Sequence, residues 1–410
     1  MENPIAWKKN SMMKDCCEGV STVFLNAEEI GKAKKFHMSF PIYQPTPLRS
    51  LHHLARQLGV AGIYVKDESW RFGLNAFKVL GGSYAIARYL SAEIGADISD
   101  MPYNVLTSPS VKQALGEITF ATTTDGNHGR GVAWTARQLK QKSVVYMPKG
   151  SSLQRLEAIR AEGAQAMITE FNYDDSVRLT DKHAKEHDWV VVQDTVWEGY
   201  EVIPTWIMQG YGTMAAEALE QLKTMRIERP SHVMLQAGVG SLAGTVQGYL
   251  ASIFQRDCPA VAVVEPDKAA CLYKSAIAGD GAPRSVGGHM DTIMAGLACG
   301  EPNPIGWNVL RDYSRMFFSC ADWVAARGMR ILGNPFGSDP RIVSGESGAV
   351  TLGLLSLLLA DGRWEEAKEA FGLNKESRIL LFNTEGDTDP DRYRSIVWDG
   401  EFASYPAARN

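Results

Sequence analysis

From about residue 49 onward, short β-branched runs alternate with longer amphipathic stretches. That alternation predicts an α/β fold on a mainly parallel sheet. Predicted strands include Ile63-Tyr64-Val65, Val144-Val145-Tyr146-Met147, Val190-Val191-Val192 and Ile379-Leu380-Leu381-Phe382. Between the second and third, Ser151-Ser152-Leu153-Gln154 has the S-x-x-Q form of a capping box, and Gly163 closes the helix it opens. Residues 117–123, 232–236 and 261–265 read as further strands, with helices over 129–140 and from about Thr245. The longest near-apolar run, Ala349 to Ala360, is too short for a bilayer span and contains Thr351, Gly353 and Ser356, so it predicts a buried core helix. No repeat and no low-complexity linker marks a domain boundary.

Composition narrows the function classes. The 42 basic and 47 acidic residues leave a net charge of −5, which disfavours nucleic acid and anionic membranes as partners. At 410 residues and 45% apolar, the chain has material for more than one core. Its six cysteines (Cys16, Cys17, Cys258, Cys271, Cys299, Cys320) show neither a C-x-x-C pair nor metal-ligand spacing, so reduced thiols and no metal are expected. The stretch from Met1 to Lys9 lacks the features of a secretory signal, and a cytoplasmic location is the expectation.

In such folds ligands bind beyond the carboxyl ends of the strands. Ahead of these stands Asn75-Ala76-Phe77-Lys78-Val79-Leu80-Gly81-Gly82, which sets one lysine in an apolar collar before a glycine pair. Desolvation there makes Lys78 a usable amine nucleophile for Schiff-base chemistry; the plainer alternative is a surface charge snorkelling over apolar neighbours. In the turn Thr124-Asp125-Gly126-Asn127-His128, Asp125 or Asn127 either caps the next helix or serves a ligand. The loop Ala237-Gly238-Val239-Gly240-Ser241-Leu242-Ala243-Gly244 suits a phosphate at a helix N-terminus. It also fits G-x-G-x-x-A, and Glu265 ends the following strand where a dinucleotide fold carries its ribose-binding carboxylate, so a nicotinamide-dependent enzyme is a rival reading and a tight packing turn a third. Asp194 is a helix cap or a pocket carboxylate, and the hydroxyl-rich segment 383–389 meets a ring nitrogen or forms Asx and Ser/Thr turns.

Taken in order, Thr46-Pro47-Leu48, Lys66-Asp67-Glu68, Asn75-Ala76-Phe77-Lys78, Asp125-Gly126-Asn127-His128, Gly238-Val239-Gly240-Ser241-Leu242 and Ser344-Gly345-Glu346-Ser347-Gly348-Ala349 resemble the motif series of the fold type II pyridoxal phosphate enzymes, the tryptophan synthase β-like group. Within that group, the segments 123–134, 193–200 and 383–390 are similar to the diaminopropionate ammonia-lyase family. Asp125 stands where the threonine and serine dehydratases usually carry a small residue, which argues against a dehydratase.

The resemblance implies two α/β domains with mainly parallel sheets flanked by helices. The larger would comprise residues 1–84 and 206–410, the smaller 85–205, with the cofactor between them. It implies elimination of 2,3-diaminopropionate, in both D and L forms, to pyruvate and two ammonia by a homodimer. Lys78 would carry pyridoxal 5'-phosphate, Gly238, Val239, Gly240, Ser241 and Leu242 would hold its phosphate, and Asn127 its 3-oxygen. Thr384 would face the ring nitrogen, while Glu346 lines the cofactor edge or supports it. Asp125 would be the base for the D-substrate, with Lys78 or Asp194 serving the L-substrate.

Overall fold

The computed structural model describes residues 4–15 and 18–403, so Cys16, Cys17 and the first three residues of the N-terminal stretch lie outside the described residues. In chain order the strands are β1 (Ile5–Lys9), β2 (Leu48–Ser50), β3 (Gly62–Asp67), β4 (Thr119–Thr123), β5 (Lys142–Met147), β6 (Gln165–Ile168), β7 (Val190–Val191), β8 (His232–Gln236), β9 (Ala260–Pro266), β10 (Met316–Cys320) and β11 (Arg378–Asn383). The chain divides into two compact units, one made of Met1–Val23, Thr46–Trp70 and Glu217–Asn410, the other of Phe24–Pro45 and Arg71–Ala216. The second unit takes in residues 71–84, which the sequence reading grouped with the larger domain. Packing gives the reason: a Cβ on Gly131 would stand 2.8 Å from Val79 Cα, so the helices Val79–Glu93 and Asn127–Gln138 meet backbone to backbone.

The first unit is built on a seven-stranded sheet in the order β1-β10-β9-β8-β11-β3-β2. Its five central strands are parallel and only the edge strands β1 and β2 run antiparallel. Every residue of β3, β8 and β10 is buried, as expected of parallel strands covered on both faces. Two sequence blocks are tied together here. Lys66, buried on β3, donates to Glu217 Oε2 at 2.6 Å, to the Thr46 carbonyl at 2.6 Å and to Gln221 Oε1 at 3.0 Å, and Thr46 Oγ1 donates to Glu68 at 2.6 Å. A buried ammonium survives only with such partners, so these residues frame the sheet.

The near-apolar run forms the helix Glu346–Ala360, whose residues 346–358 are all buried. Gly353 is a contact point rather than an interruption. A Cβ on it would lie 1.9 Å from the Val324 carbonyl, and one on Gly328 2.0 Å from that of Ala349, so the helix lies backbone to backbone against Asp322–Gly333. No helix among the described residues is long and apolar enough to cross a membrane.

The second unit carries a four-stranded parallel sheet in the order β6-β5-β4-β7. Three local expectations need correction. The helix after β5 spans Leu153–Ala161 with Ser152 at its N-cap and no side-chain cap, because the Ser151 hydroxyl donates instead to the Pro148 carbonyl at 2.7 Å; the capping box does not form. The helix after β8 starts at Ser241, four residues before Thr245, since Gly240 turns the chain with a φ of +96°. The run Val190–Val192 yields a strand of two residues, because the Gln193 side chain takes over the pairing. Its Oε1 accepts from Thr123 N at 2.9 Å and its Nε2 donates to the Thr123 carbonyl at 3.1 Å, as a neighbouring peptide would.

Gly353→Ala should cost about 1–3 kcal/mol by overpacking and lower the thermal unfolding midpoint. Gly31→Ala, in the helix Ala27–Met38 with nothing within 4 Å of the added methyl, should raise it by about 0.5–1 kcal/mol. Equal shifts in scanning calorimetry would contradict the helix contact.

Candidate active site

Lys78 sits immediately before the helix Val79–Glu93, and the glycine pair explains its placement. A Cβ on Gly81 would strike Tyr211 Cε1 at 2.5 Å and Ile207 at 2.6 Å, and one on Gly210 would strike the Leu80 carbonyl at 2.3 Å. With hydrogen there, Tyr211 closes on Phe77 at 4.8 Å between ring centroids, and the two rings flank Lys78 Nζ at 5.8 and 5.6 Å. This is the apolar collar read from the sequence.

Lys78 Nζ donates to Asp194 Oδ2, and the Tyr211 hydroxyl approaches the same oxygen at 3.5 Å. Burial alone would push the Asp194 carboxyl up; the Lys78 ammonium outweighs it and holds it at about 2. The loop bearing Asp194 is pinned on both sides. Gln193 N donates to the Tyr200 hydroxyl at 2.8 Å, which itself donates to the Val191 carbonyl at 2.9 Å, and Val192 N donates to Ala121 at 2.8 Å. Asp194 is therefore a pocket carboxylate rather than a helix cap.

His128 donates from Nε2 to the Val192 carbonyl at 2.8 Å, and burial lowers its pKa, so the ring is neutral with Nδ1 as a bare acceptor. Asp125 caps nothing: the helix Asn127–Gln138 has Gly126 at its N-cap without a side-chain cap, and Thr124 Oγ1 accepts from Gly126 N at 2.9 Å. The Asp125 carboxylate faces Arg155 Nη1 at 3.4 Å. The arginine stem lies over Gly126, where a Cβ would meet Arg155 Cδ at 2.9 Å. Asn127 opens the same helix. Lys78 and Asp194 are thus joined directly, while Asp125 has a different partner. Sequence reading missed Tyr211, His128 and Arg155, for each acts through a contact distant in the chain.

In the first unit, Gly238 to Leu242 lead from β8 into the helix Ser241–Phe254. Asn303 sets the loop: its N donates to the Val239 carbonyl at 2.7 Å and its Nδ2 to Ser241 Oγ at 2.8 Å, while Oδ1 accepts from Ile305 N at 2.9 Å. A Cβ on Gly238 would crowd Cys299 Sγ and Leu297 Cα, both at 3.2 Å, and one on Gly244 would meet Gly306 Cα at 2.7 Å. The result is a small-residue loop leading into a helix whose N-terminus is a positive end, suited to a phosphate.

Thr384 follows β11, the neighbour of β8. Its Oγ1 accepts from Gln236 Nε2 at 2.9 Å, and its own hydrogen meets no acceptor among the described residues. A buried hydroxyl with an unspent proton fits a ligand acceptor such as an unprotonated ring nitrogen. Glu346 begins the helix Glu346–Ala360, where Ser347 N donates to Glu385 Oε1 at 3.2 Å.

The dinucleotide reading fails at Glu265. Its carboxylate accepts from Leu272 N at 2.9 Å and Tyr273 N at 2.6 Å, capping the helix Cys271–Ala278, and burial pushes it up to about 8. It is spent on backbone and unavailable to a ribose. Taken separately, the lysine of the second unit, and the small-residue loop and unspent hydroxyl of the first, each match a group that pyridoxal phosphate carries. No group of three or more His, Cys, Asp or Glu among the described residues could hold a metal ion.

Comparison with known proteins agrees. Residues 40–372 match the family described as pyridoxal-phosphate dependent enzymes. A diaminopropionate ammonia-lyase from Escherichia coli is 53% identical over 95% of this chain and 96% of its own. One from Salmonella typhimurium is 50% identical over 98% of this chain and its full length. The crystal structure of a holo diaminopropionate ammonia lyase from Escherichia coli superposes with a TM-score of 0.91 at 51% identity, covering 98% of each chain. The two-sheet α/β architecture expected of fold type II is borne out. By sequence and by fold, this chain belongs to the diaminopropionate ammonia-lyase family of pyridoxal-phosphate dependent enzymes.

Proposed function

We propose that the chain converts 2,3-diaminopropionate and water to pyruvate and two ammonia by α,β-elimination, and that it acts on both enantiomers. The observation that carries the reading is the Lys78 amine held on an ionised, buried Asp194 inside an aromatic collar. Bound covalently through Lys78, pyridoxal phosphate supplies the electron sink that acidifies the substrate α-proton.

The chain's own residues do the rest. Gly238, Val239, Gly240, Ser241 and Leu242 receive the phosphate with backbone N–H groups, Asn127 binds the 3-oxygen, Thr384 donates to the ring nitrogen and Glu346 borders the ring. Asp194 keeps a negative charge beside the Lys78 nitrogen, which itself takes up and returns the proton as the amine changes state. Asp125, oriented by Arg155, removes the α-proton of the D-substrate, and its charge also attracts the second ammonium of a diamino acid. The L-substrate loses its proton to the Lys78–Asp194 pair. Leaving ammonia takes its proton from the group that removed the α-proton. We read the enzyme as a cytoplasmic homodimer, which light scattering of the holoenzyme tests for mass.

An absorbance spectrum with pyruvate assayed in the same cuvette tests the function: a yellow protein that forms pyruvate from D- and L-diaminopropionate supports it, and a colourless one that binds NAD overturns it. Lys78→Ala should lose both the yellow band and pyruvate formation. Asp125→Asn should keep the band and lose about 10²–10⁴ of the D-enantiomer rate while the L rate falls far less; equal rates would remove Asp125 as a base. Paired with the Lys78 ammonium, Asp194 is held at about 2 and is ionised at neutral pH. Asp194→Asn should therefore lower the plateau of the pH–rate profile for the L-substrate without moving its acid limb, and a shifted limb would contradict this.

A further inference from the structure

Gln236 ends β8 fully buried, and its side-chain amide bridges to the end of the neighbouring strand β11. Nε2 donates twice, to the Phe382 carbonyl at 2.8 Å and to Thr384 Oγ1 at 2.9 Å. The orientation is dictated by Phe382. Rotating the amide would bring two carbonyl oxygens to the same close distance, with no hydrogen between them. The amide keeps this orientation although Oε1 then finds no donor among the described residues. Thr384 Oγ is thereby obliged to accept from Gln236, and its single hydrogen must point elsewhere.

We infer that Gln236 is a positioning residue that locks the Thr384 hydroxyl as a hydrogen-bond donor, and so keeps the ring nitrogen of the bound cofactor unprotonated. A hydroxyl that must donate stabilises a bare pyridine nitrogen and opposes a pyridinium. An unprotonated ring withdraws electrons less strongly, which favours early loss of a β-substituent over transamination. Gln236 thus governs reaction specificity without touching the substrate. The inference rests on the reading of Thr384 as the residue that faces the ring nitrogen.

The test is nitrogen NMR of holoenzyme carrying cofactor labelled with ¹⁵N in the ring, since protonation moves that resonance strongly upfield. The unaltered enzyme should show the unprotonated resonance at neutral pH. In Gln236→Glu, the oxygen that replaces Nε2 satisfies Phe382 with its O–H and accepts the Thr384 hydrogen on a lone pair, which turns a hydroxyl lone pair toward the ring. The resonance should move to the protonated position, and the fraction of turnovers ending as pyridoxamine phosphate should rise at least tenfold. Gln236→Met, which adds no titratable group, should move the resonance part of the way and serves if the glutamate variant fails to fold or load. A protonated resonance in the unaltered enzyme, or an unprotonated one unchanged in the loaded variants, overturns the inference. Thr384→Val separates the two claims: if it alters neither the resonance nor the affinity for cofactor, Thr384 does not face the nitrogen and that reading fails first. If Thr384→Val shifts the resonance while the Gln236 variants do not, only the role of Gln236 falls.

Discussion

Everything distinctive about the second unit depends on backbone meeting backbone around Lys78. Gly81 and Gly210 let the helix Val79–Glu93 approach the segment that carries Tyr211, and Gly131 lets Asn127–Gln138 press against Val79. Any side chain at these positions would force the elements apart by more than a well-packed interior tolerates. Because they close, Phe77 and Tyr211 wall the lysine, and Asp194 from the β7 loop reaches its nitrogen. The chemistry therefore rests on steric permission granted by hydrogens.

The first unit solves a different problem. Its parallel sheet brings the ends of β8 and β11 side by side, and each end carries polar groups that cannot be left unsatisfied in a buried setting. Asn303 joins the loop after β8 to the start of the helix Pro304–Tyr313, and Gln236 ties β8 to β11. What remains unspent among the described residues is the Thr384 hydrogen, beside the positive N-terminal end of Ser241–Phe254. A site of this kind is defined by what the protein's own hydrogen bonds leave over, and the leftovers are complementary to a phosphate and a ring nitrogen.

Buried ionic groups in the molecule fall into two roles. Lys66 with Glu217 is satisfied by fixed protein partners and serves the framework, as does Glu265, which burial pushes toward its neutral form on two N–H donors. Lys78 and Asp194 are equally well paired, yet the lysine side chain keeps 20% of its surface open. Accessibility, more than charge, distinguishes the reactive lysine from the structural one.

Much of the fold was legible in the chain, because period and composition are local properties: β3, β4, β5, β7, β8, β9 and β11 fall on runs read as strands and the helix Glu346–Ala360 on an apolar stretch, whereas β6 (QAMI) and β10 (MFFSC), poor in β-branched residues, went unread. The order of short motifs was enough to announce the family. Local competition misled at the capping box, where Ser151 found a nearer carbonyl, and at Gln193, where a side chain replaced a strand. The dinucleotide fingerprint misled because spacing is blind to whether Glu265 is free. The pairing of Lys78 with Asp194, 116 residues away, the partnership of Asp125 with Arg155 and the one-way hydrogen bond from Gln236 to Thr384 belong to tertiary structure alone. Sequence determined which elements form and which residue types they carry; only the folded chain decided which polar groups meet and which remain available, because hydrogen bonding and desolvation depend on neighbours that the order of residues does not name.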